Sequence, residues 1–230
     1  MGRDGKLRVV VLTGVDSTAL RSAISKLANL PELQISAILF DSEPQTVRKR
    51  LRNLRRNVRR EGLSYIPYRL AVFLRDFIDR LAARVFSLQE VMELLRRSFP
   101  DQAFCLTDLS QKYKIPIMKV ENLNGPTAVE TLRNLNADLG VVLGTRILKR
   151  STFSIPRIGC LNVHMGKVPE YRGLPPGFWE LYEKQSSAGV TIHFVDDGLD
   201  TGEIVGEDSV DIHPRESLET LQKKLGICAT

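Results

Sequence analysis

Short apolar runs, each closing on a turn and separated by helix-length segments, constrain this chain more than any other feature. Leu7-Arg8-Val9-Val10-Val11-Leu12 is nearly continuous in apolar residues and ends at Thr13-Gly14. That is the pattern of a central parallel strand buried on both faces. Asp16-Ser17-Thr18 supplies N-cap chemistry for a helix over residues 19–30, and residues 33–40 form the next strand, ending at Asp41. This is a βαβ opening of the doubly wound kind, with its first turn placed to meet a ligand. Thr13-Gly14-Val15-Asp16-Ser17 lies at a helix start, a natural anion site. Asp16 repels phosphate, however, and no GxGxxG is present, so a nucleotide fingerprint is unsupported.

The alternation breaks between Pro44 and Pro100, where the spacing predicts only helix. Residues 45–60 place Val47, Leu51, Leu54 and Val58 at helical intervals among arginines. Residues 68–86 carry a broad apolar face, which Arg69, Arg75, Asp76, Asp79 and Arg80 interrupt, so no membrane span is expected. Ser87-Leu88-Gln89-Glu90 reads as a capping box opening a third helix to about residue 97. Regular alternation then resumes. Strands are expected at 115–120, 139–144, 158–164, 190–195 and 204–212, with a helix from Gly125-Pro126 to Asn136 and an amphipathic one from Glu216. The expected fold is α/β with a mostly parallel sheet and an α-helical insertion at about 44–100. Residues 1–214 form the main domain and 215–230 the start of a C-terminal helix.

Cysteine usage and charge narrow the class. Cys105, Cys160 and Cys228 lie far apart without CxxC or His-cluster spacing, which argues against a disulfide framework or a metal site and for a reducing, cytoplasmic compartment. The net charge of +6 is unevenly spread, because residues 47–60 alone hold eight Lys or Arg and no acid. That run reads either as a solvated helix face or as a phosphate-binding surface; few aromatics interleave with it, so single-strand stacking is not indicated.

Chemistry concentrates between Asn162 and Asp200. Asn162 and His164 are two apart, so on a strand their side chains leave the same face. Asp200 follows a second strand and is able to reach the imidazole. An amide, an imidazole and a carboxylate converging this way suit acyl transfer to an amine, where an oxyanion is stabilised and a proton removed. Against this stands a structural role for the Asn-x-His pair. His193 and His213 read as ordinary partly buried or surface histidines, and Asp196 and Asp197 as turn-forming residues. Tyr171-Arg172-Gly173 reads as a turn with Gly173 at positive φ, or as a place where Arg172 meets an anionic substrate.

These residues resemble the folate-dependent formyltransferase family, whose members use 10-formyltetrahydrofolate. The ordered matches are Asn136-Ala137-Asp138-Leu139, Arg146-Ile147-Leu148, Ile155-Pro156-Arg157-Ile158-Gly159-Cys160-Leu161-Asn162-Val163-His164, Pro169, Tyr171-Arg172-Gly173, Gly189-Val190-Thr191-Ile192 and Asp197-Gly198-Leu199-Asp200-Thr201-Gly202. They are dense from about 115 to 214 and do not cover the insertion. The resemblance implies a Rossmann-like domain with Asn162, His164 and Asp200 catalytic. It implies that Leu143, Gly144, Arg146, Ile147 and Leu148 contact the pterin and formyl end of 10-formyltetrahydrofolate, with Val195, Asp196 and Asp197 in a loop that closes over the pterin, and no metal. The implied partner is an amine acceptor: methionyl-tRNA first, an amino-sugar nucleotide second, glycinamide ribonucleotide third. Hydrolysis of formyltetrahydrofolate and a non-catalytic binding module are the alternatives. After His164 the family commonly carries Pro-Ser-Leu-Leu-Pro where this chain has Met165-Gly166-Lys167-Val168-Pro169, which leaves the acceptor open. Many relatives also carry a further C-terminal β-barrel domain, so a chain ending inside a helix is read as either short or a fragment.

Overall fold

The computed structural model describes residues 5–42, 105–173 and 175–230. The expected helical insertion at about 44–100, with its basic run, lies outside the described residues.

Strand β1 (Leu7–Thr13) is the centre of the sheet, and Val9 to Leu12 are between 0% and 1% exposed. It pairs in parallel with β2 (Leu33–Asp41) on one side and β4 (Leu139–Leu143) on the other. A strand enclosed on both sides and both faces has no place for alternating polarity, which is why its sequence is a continuous apolar run. Between β1 and β2 runs α1 (Thr18–Ala28), started by the Ser17 hydroxyl, which accepts from the Leu20 N–H at 3.2 Å.

Beyond β2 lie α2 (Leu106–Tyr113) and β3 (Ile117–Val120), the latter parallel to β2 at the sheet edge. Helix α3 (Pro126–Leu135) starts on Pro126 as expected and ends where Asn136 turns left-handed at φ 45°. After β4 come the four-residue α4 (Arg150–Phe153), β5 (Gly159–His164), the short α5 (Phe178–Tyr182), β6 (Ser187–Phe194), β7 (Ile204–Asp211) and α6 (Leu218–Cys228). The strand order is β3-β2-β1-β4-β5-β6-β7. Strands β1 to β5 are parallel, while β6 runs antiparallel to both β5 and β7. The sheet is thus mostly parallel, as expected from the alternation.

Two features differ from the expectation. Strand β6 begins three residues earlier than its hydrophobic pattern suggests, because Ser187, Ala188 and Gly189 pair with Asp211, Val210 and Ser209. Helices α2, α4 and α5 have no sequence signal strong enough to announce them: α4 and α5 span only four and five residues. Cys160 is a core residue at 0% exposure, and burial pushes its thiol up to about 12.

Among the described residues, two apolar clusters bear on how the sheet is held. One gathers Val10, Leu12, Leu39, Ala128, Leu132 and Val142, binding α3 to the parallel half. The other packs Leu221 and Leu225 of α6 on Ala188 and Val190, with Val163 and Met165 beside them. The second cluster therefore holds the antiparallel half in place directly under β5, the strand that carries the site. Among the described residues, no helix is long and apolar enough to cross a membrane.

Candidate active site

The carboxyl end of β5 presents Asn162 and His164 two residues apart on one face, as the spacing requires. Asp200 arrives from the loop between β6 and β7, in a left-handed conformation at φ 53°. Its carboxylate lies 3.6 Å from His164 Nδ1 through one oxygen and 3.6 Å from His193 Nε2 through the other. The Gly173 N–H donates to it at 3.3 Å. The sequence-read three are therefore brought together, but a fourth side chain stands among them. His193 is 2% exposed, pairs with Asn162 across the β5–β6 register, and holds its Nε2 3.2 Å from Asn162 Nδ2. The reading of His193 as an ordinary strand histidine missed this position. Only the register, which residue types do not reveal, could have placed it.

Backbone carbonyls fix the ring protons, because a carbonyl can only accept. His164 Nε2 lies 2.9 Å from the Tyr171 oxygen and donates to it, so Nδ1 is the nitrogen that faces Asp200. His193 Nδ1 donates to the Phe194 oxygen at 2.8 Å, so in neutral His193 Nε2 accepts from the Asn162 amide. The Asp200 carboxylate raises the His193 pKa above its ordinary value, burial opposing it and the Phe194 carbonyl assisting. Burial alone would push Asp200 up, yet His193, the charge of His164 and the Gly173 N–H together outweigh it and lower its pKa. Asp200 is thus held as a carboxylate facing two imidazoles.

The loop after β5 closes on this cluster through Gly166. A methyl group there would fall 2.5 Å from the Tyr171 oxygen and 2.8 Å from His164 Nε2, so only glycine leaves room for the bond between them. The Thr191 hydroxyl straps the same loop to β6, donating to the Gly166 oxygen at 3.0 Å and accepting from the Val168 N–H at 3.3 Å. Gly173 has φ 85°, as the turn reading of Tyr171-Arg172-Gly173 requires.

The loops read as the co-substrate side flank the carboxyl ends of the parallel strands. β1 and β4 are the pair at which the strand order reverses, the place where open α/β sheets form a crevice. There the Gly14 N–H donates to the Gly144 oxygen at 3.1 Å, and Gly144 turns at φ 64°. Leu143 ends β4, and Leu148 is buried in the core at 6% exposure. Ile147, at 69% exposure, presents its side chain outward. The Arg146 guanidinium is clamped by the Asp41 carboxylate, Nη2 to Oδ1 at 2.6 Å and Nε to Oδ2. On the other flank, Val195 is tied to β5 by its N–H to the Cys160 oxygen at 2.8 Å. Asp196 accepts from Gly198 N–H at 3.0 Å and Thr201 Oγ1 at 2.7 Å, shaping the turn as its residue type suggests. Asp197 pairs with Arg150 of α4 at 2.6 Å, joining the two flanking loops at the surface.

Comparison with known proteins agrees with this arrangement. The family described as formyl transferase matches residues 87–227. A methionyl-tRNA formyltransferase from Geobacter metallireducens is 35% identical over 120 residues, 52% of this chain and 39% of the relative. One from Thermosynechococcus vestitus is 39% identical over 128 residues, 55% of this chain and 37% of the relative. The match thus spans well under half the length of these relatives. In fold, the chain is similar to a phosphoribosylglycinamide formyltransferase from Anaplasma phagocytophilum, with a TM-score of 0.63 at 19% identity over 97% of this chain and 81% of that one. It is also similar to a formyltetrahydrofolate deformylase from Pseudomonas syringae, with a TM-score of 0.59 at 16% identity over 97% of this chain and 57% of the other. The family match extends over more than half of the chain, and the sheet has the fold of these solved structures: the chain belongs to the formyl transferase family.

Proposed function

We propose that this chain transfers a formyl group from 10-formyltetrahydrofolate to a primary amine, with Asn162, His164 and Asp200 as its catalytic residues. The observation that carries the proposal is Asp200, whose two oxygens lie 3.6 Å from His164 and from His193 while His193 Nε2 lies 3.2 Å from the Asn162 amide nitrogen. The amine nitrogen attacks the formyl carbon, forming a C–N bond and placing the electron pair on the carbonyl oxygen. Asn162 has two amide hydrogens, and the one not given to His193 is the first donor for that oxyanion. The second donor is a ring N–H of His164, whose Nδ1 lies on the Asp200 side. Asp200 takes the amine's proton, directly or through water. The bond from carbon to N10 then breaks as the oxyanion electrons return, and the folate nitrogen leaves with the proton that Asp200 passes on, directly or through water. Loss of one oxyanion donor costs about a hundredfold in rate.

Among acceptors, methionyl-tRNA comes first, because the relatives at 35% and 39% identity carry that name. An amino-sugar nucleotide and glycinamide ribonucleotide follow. The proposal includes residues 1–214 as the transferase domain, the helical insertion at about 44–100, and a reducing cytoplasmic setting suited to the free cysteines Cys105, Cys160 and Cys228. The test is tetrahydrofolate release from 10-formyltetrahydrofolate with each amine in turn. Release that depends on one amine, and that Asn162→Ala or His164→Ala abolishes, supports transfer. Release without any amine replaces transfer by hydrolysis, and no release under any condition overturns the proposal.

A further inference from the structure

A second concave site lies across the loop after β5 from the strand pair β6–β7. Lys167, Glu170 and Tyr171 of that loop, Glu180 of α5, Gln185 and Glu207 of β7 border a cavity of about 570 Å³. That size is in the range of small-molecule sites, roughly 300–1,000 Å³. Its charge is lopsided: Glu170, Glu180, Glu207 and Asp208 line it together with the single ammonium of Lys167. Glu170, Glu207 and Lys167 are exposed, whereas Glu180 is 2% exposed.

Glu180 is what turns an acidic rim into a site. Its Oε1 is buried and has no hydrogen-bond partner among the described residues. An unsatisfied buried carboxyl oxygen costs about 1–3 kcal/mol, so its presence calls for a donor. The neighbouring Glu183 does not compete for one, because its carboxylate accepts from the Tyr171 hydroxyl at 2.7 Å. Burial raises the Glu180 pKa and the nearby Glu183 charge adds to it. Among the described residues no three His, Cys, Asp or Glu are grouped to hold a metal ion. A directional N–H donor on an alkyl stem fits better, with Val190 and Gly189 completing the wall against the stem.

We propose that this cavity binds a small aliphatic diamine or polyamine, one ammonium meeting Glu180 and another the rim carboxylates Glu170 and Glu207. None of these groups belongs to the catalytic cluster, although Tyr171 touches both regions through its backbone and its hydroxyl. Binding here therefore stands or falls independently of formyl transfer.

Trp179 is the single tryptophan of the chain and precedes Glu180 on α5, so it reports on the site directly. The full chain is titrated with 1,4-diaminobutane at constant ionic strength while Trp179 fluorescence is followed. The expected result is a saturable change, weakened about tenfold or more in Glu180→Gln, as loss of a charge-assisted hydrogen bond implies. Should Glu180→Gln lose its circular dichroism signature, the Glu170→Gln/Glu207→Gln double variant carries the test, and weakening of about threefold or more is expected. An unsaturable signal, a change reproduced by sodium chloride, or wild-type affinity in the variant that folds would overturn the proposal.

Discussion

The Asn162 amide nitrogen and the His193 Nε2 lie 3.2 Å apart across the antiparallel pairing of β5 with β6. This bond decides how the amide is aimed, because His193 is itself fixed by its Nδ1–H on the Phe194 carbonyl. His193 is a positioning residue in this arrangement. Replacing it with alanine frees the amide to rotate and should lower kcat about tenfold or more, with KM changed much less. Glutamine, whose side chain can still accept from the amide, should restore part of the loss. Steady-state release of tetrahydrofolate gives both constants; equal losses in the alanine and glutamine variants would make the role merely structural.

The His193–Asp200 pair sets a pH window. His193 has a raised folded pKa, so its contribution to stability is complete below the ordinary histidine value, about 6.5, and is lost as pH rises through the folded value. Asp200 has a lowered folded pKa, so its contribution is complete above the ordinary aspartate value, about 3.9, and is lost as pH falls through the folded value. Both are present together between about pH 4 and about pH 6.5. The gap in Tm between wild type and His193→Gln should be widest there and narrow on either side. A gap that is flat across a thermal-melt series from acid to mildly alkaline pH would show that the two groups do not interact.

How much of this was legible beforehand depends on the kind of signal. The parallel half was readable because Val9 to Leu12 and the β4 run have both faces covered, which leaves continuous apolar segments. The Asn162/His164 pair was readable because strand periodicity depends only on spacing. His193 was not, since its role follows from the cross-strand register that sets it opposite Asn162. The use of the Tyr171 carbonyl and the Gly173 N–H was equally hidden, because every residue has those groups and only tertiary placement singles them out. Arg146 illustrates the reverse case: its motif was visible, but its pairing with Asp41 was not.

The Arg146–Asp41 clamp should be a stability element. The Asp41 side chain is 6% exposed, and Leu123 also donates its N–H to it at 3.3 Å. Truncating Arg146 to alanine removes its two charge-assisted hydrogen bonds to that carboxylate, a change that typically costs about 1.5–3 kcal/mol. Lysine keeps the charge but not the two-pronged geometry and should recover only part. Urea unfolding midpoints for the two variants check this, and an alanine variant as stable as wild type would rule the clamp out as a stabilising contact.

Glu180→Gln should move stability the opposite way. A buried carboxyl with a raised pKa weakens the folded state increasingly as pH rises above its ordinary value, about 4.5, until the folded value is passed. Glutamine has nearly the same shape and cannot ionise, so without added amine the variant should be more stable than wild type at neutral pH by about 1 kcal/mol. At pH 4 the two should be close. A variant that is less stable at both pH values would mean that the carboxylate has a partner worth more than its burial costs.

Gly166→Ala tests whether the loop after β5 is built around the His164 bond or only passes near it. The added methyl group would stand 2.5 Å from the Tyr171 oxygen and 2.8 Å from His164 Nε2, so at least one of those atoms has to move. The loop cannot simply lift away, because Thr191 holds the Gly166 oxygen and the Val168 N–H on either side of the strain. Yielding at Tyr171 would free the His164 Nε2–H and let the ring turn; yielding at His164 would displace Nδ1 from Asp200. Either route disturbs the second oxyanion donor, and kcat should fall about a hundredfold. Overpacking of this kind should cost only about 1–3 kcal/mol in stability, so the variant should still fold. Nitrogen chemical shifts of the His164 ring then separate the routes. A ring that keeps its Nε2–H protonated and its wild-type shifts, together with unchanged kcat, would mean that the Tyr171–His164 contact is dispensable.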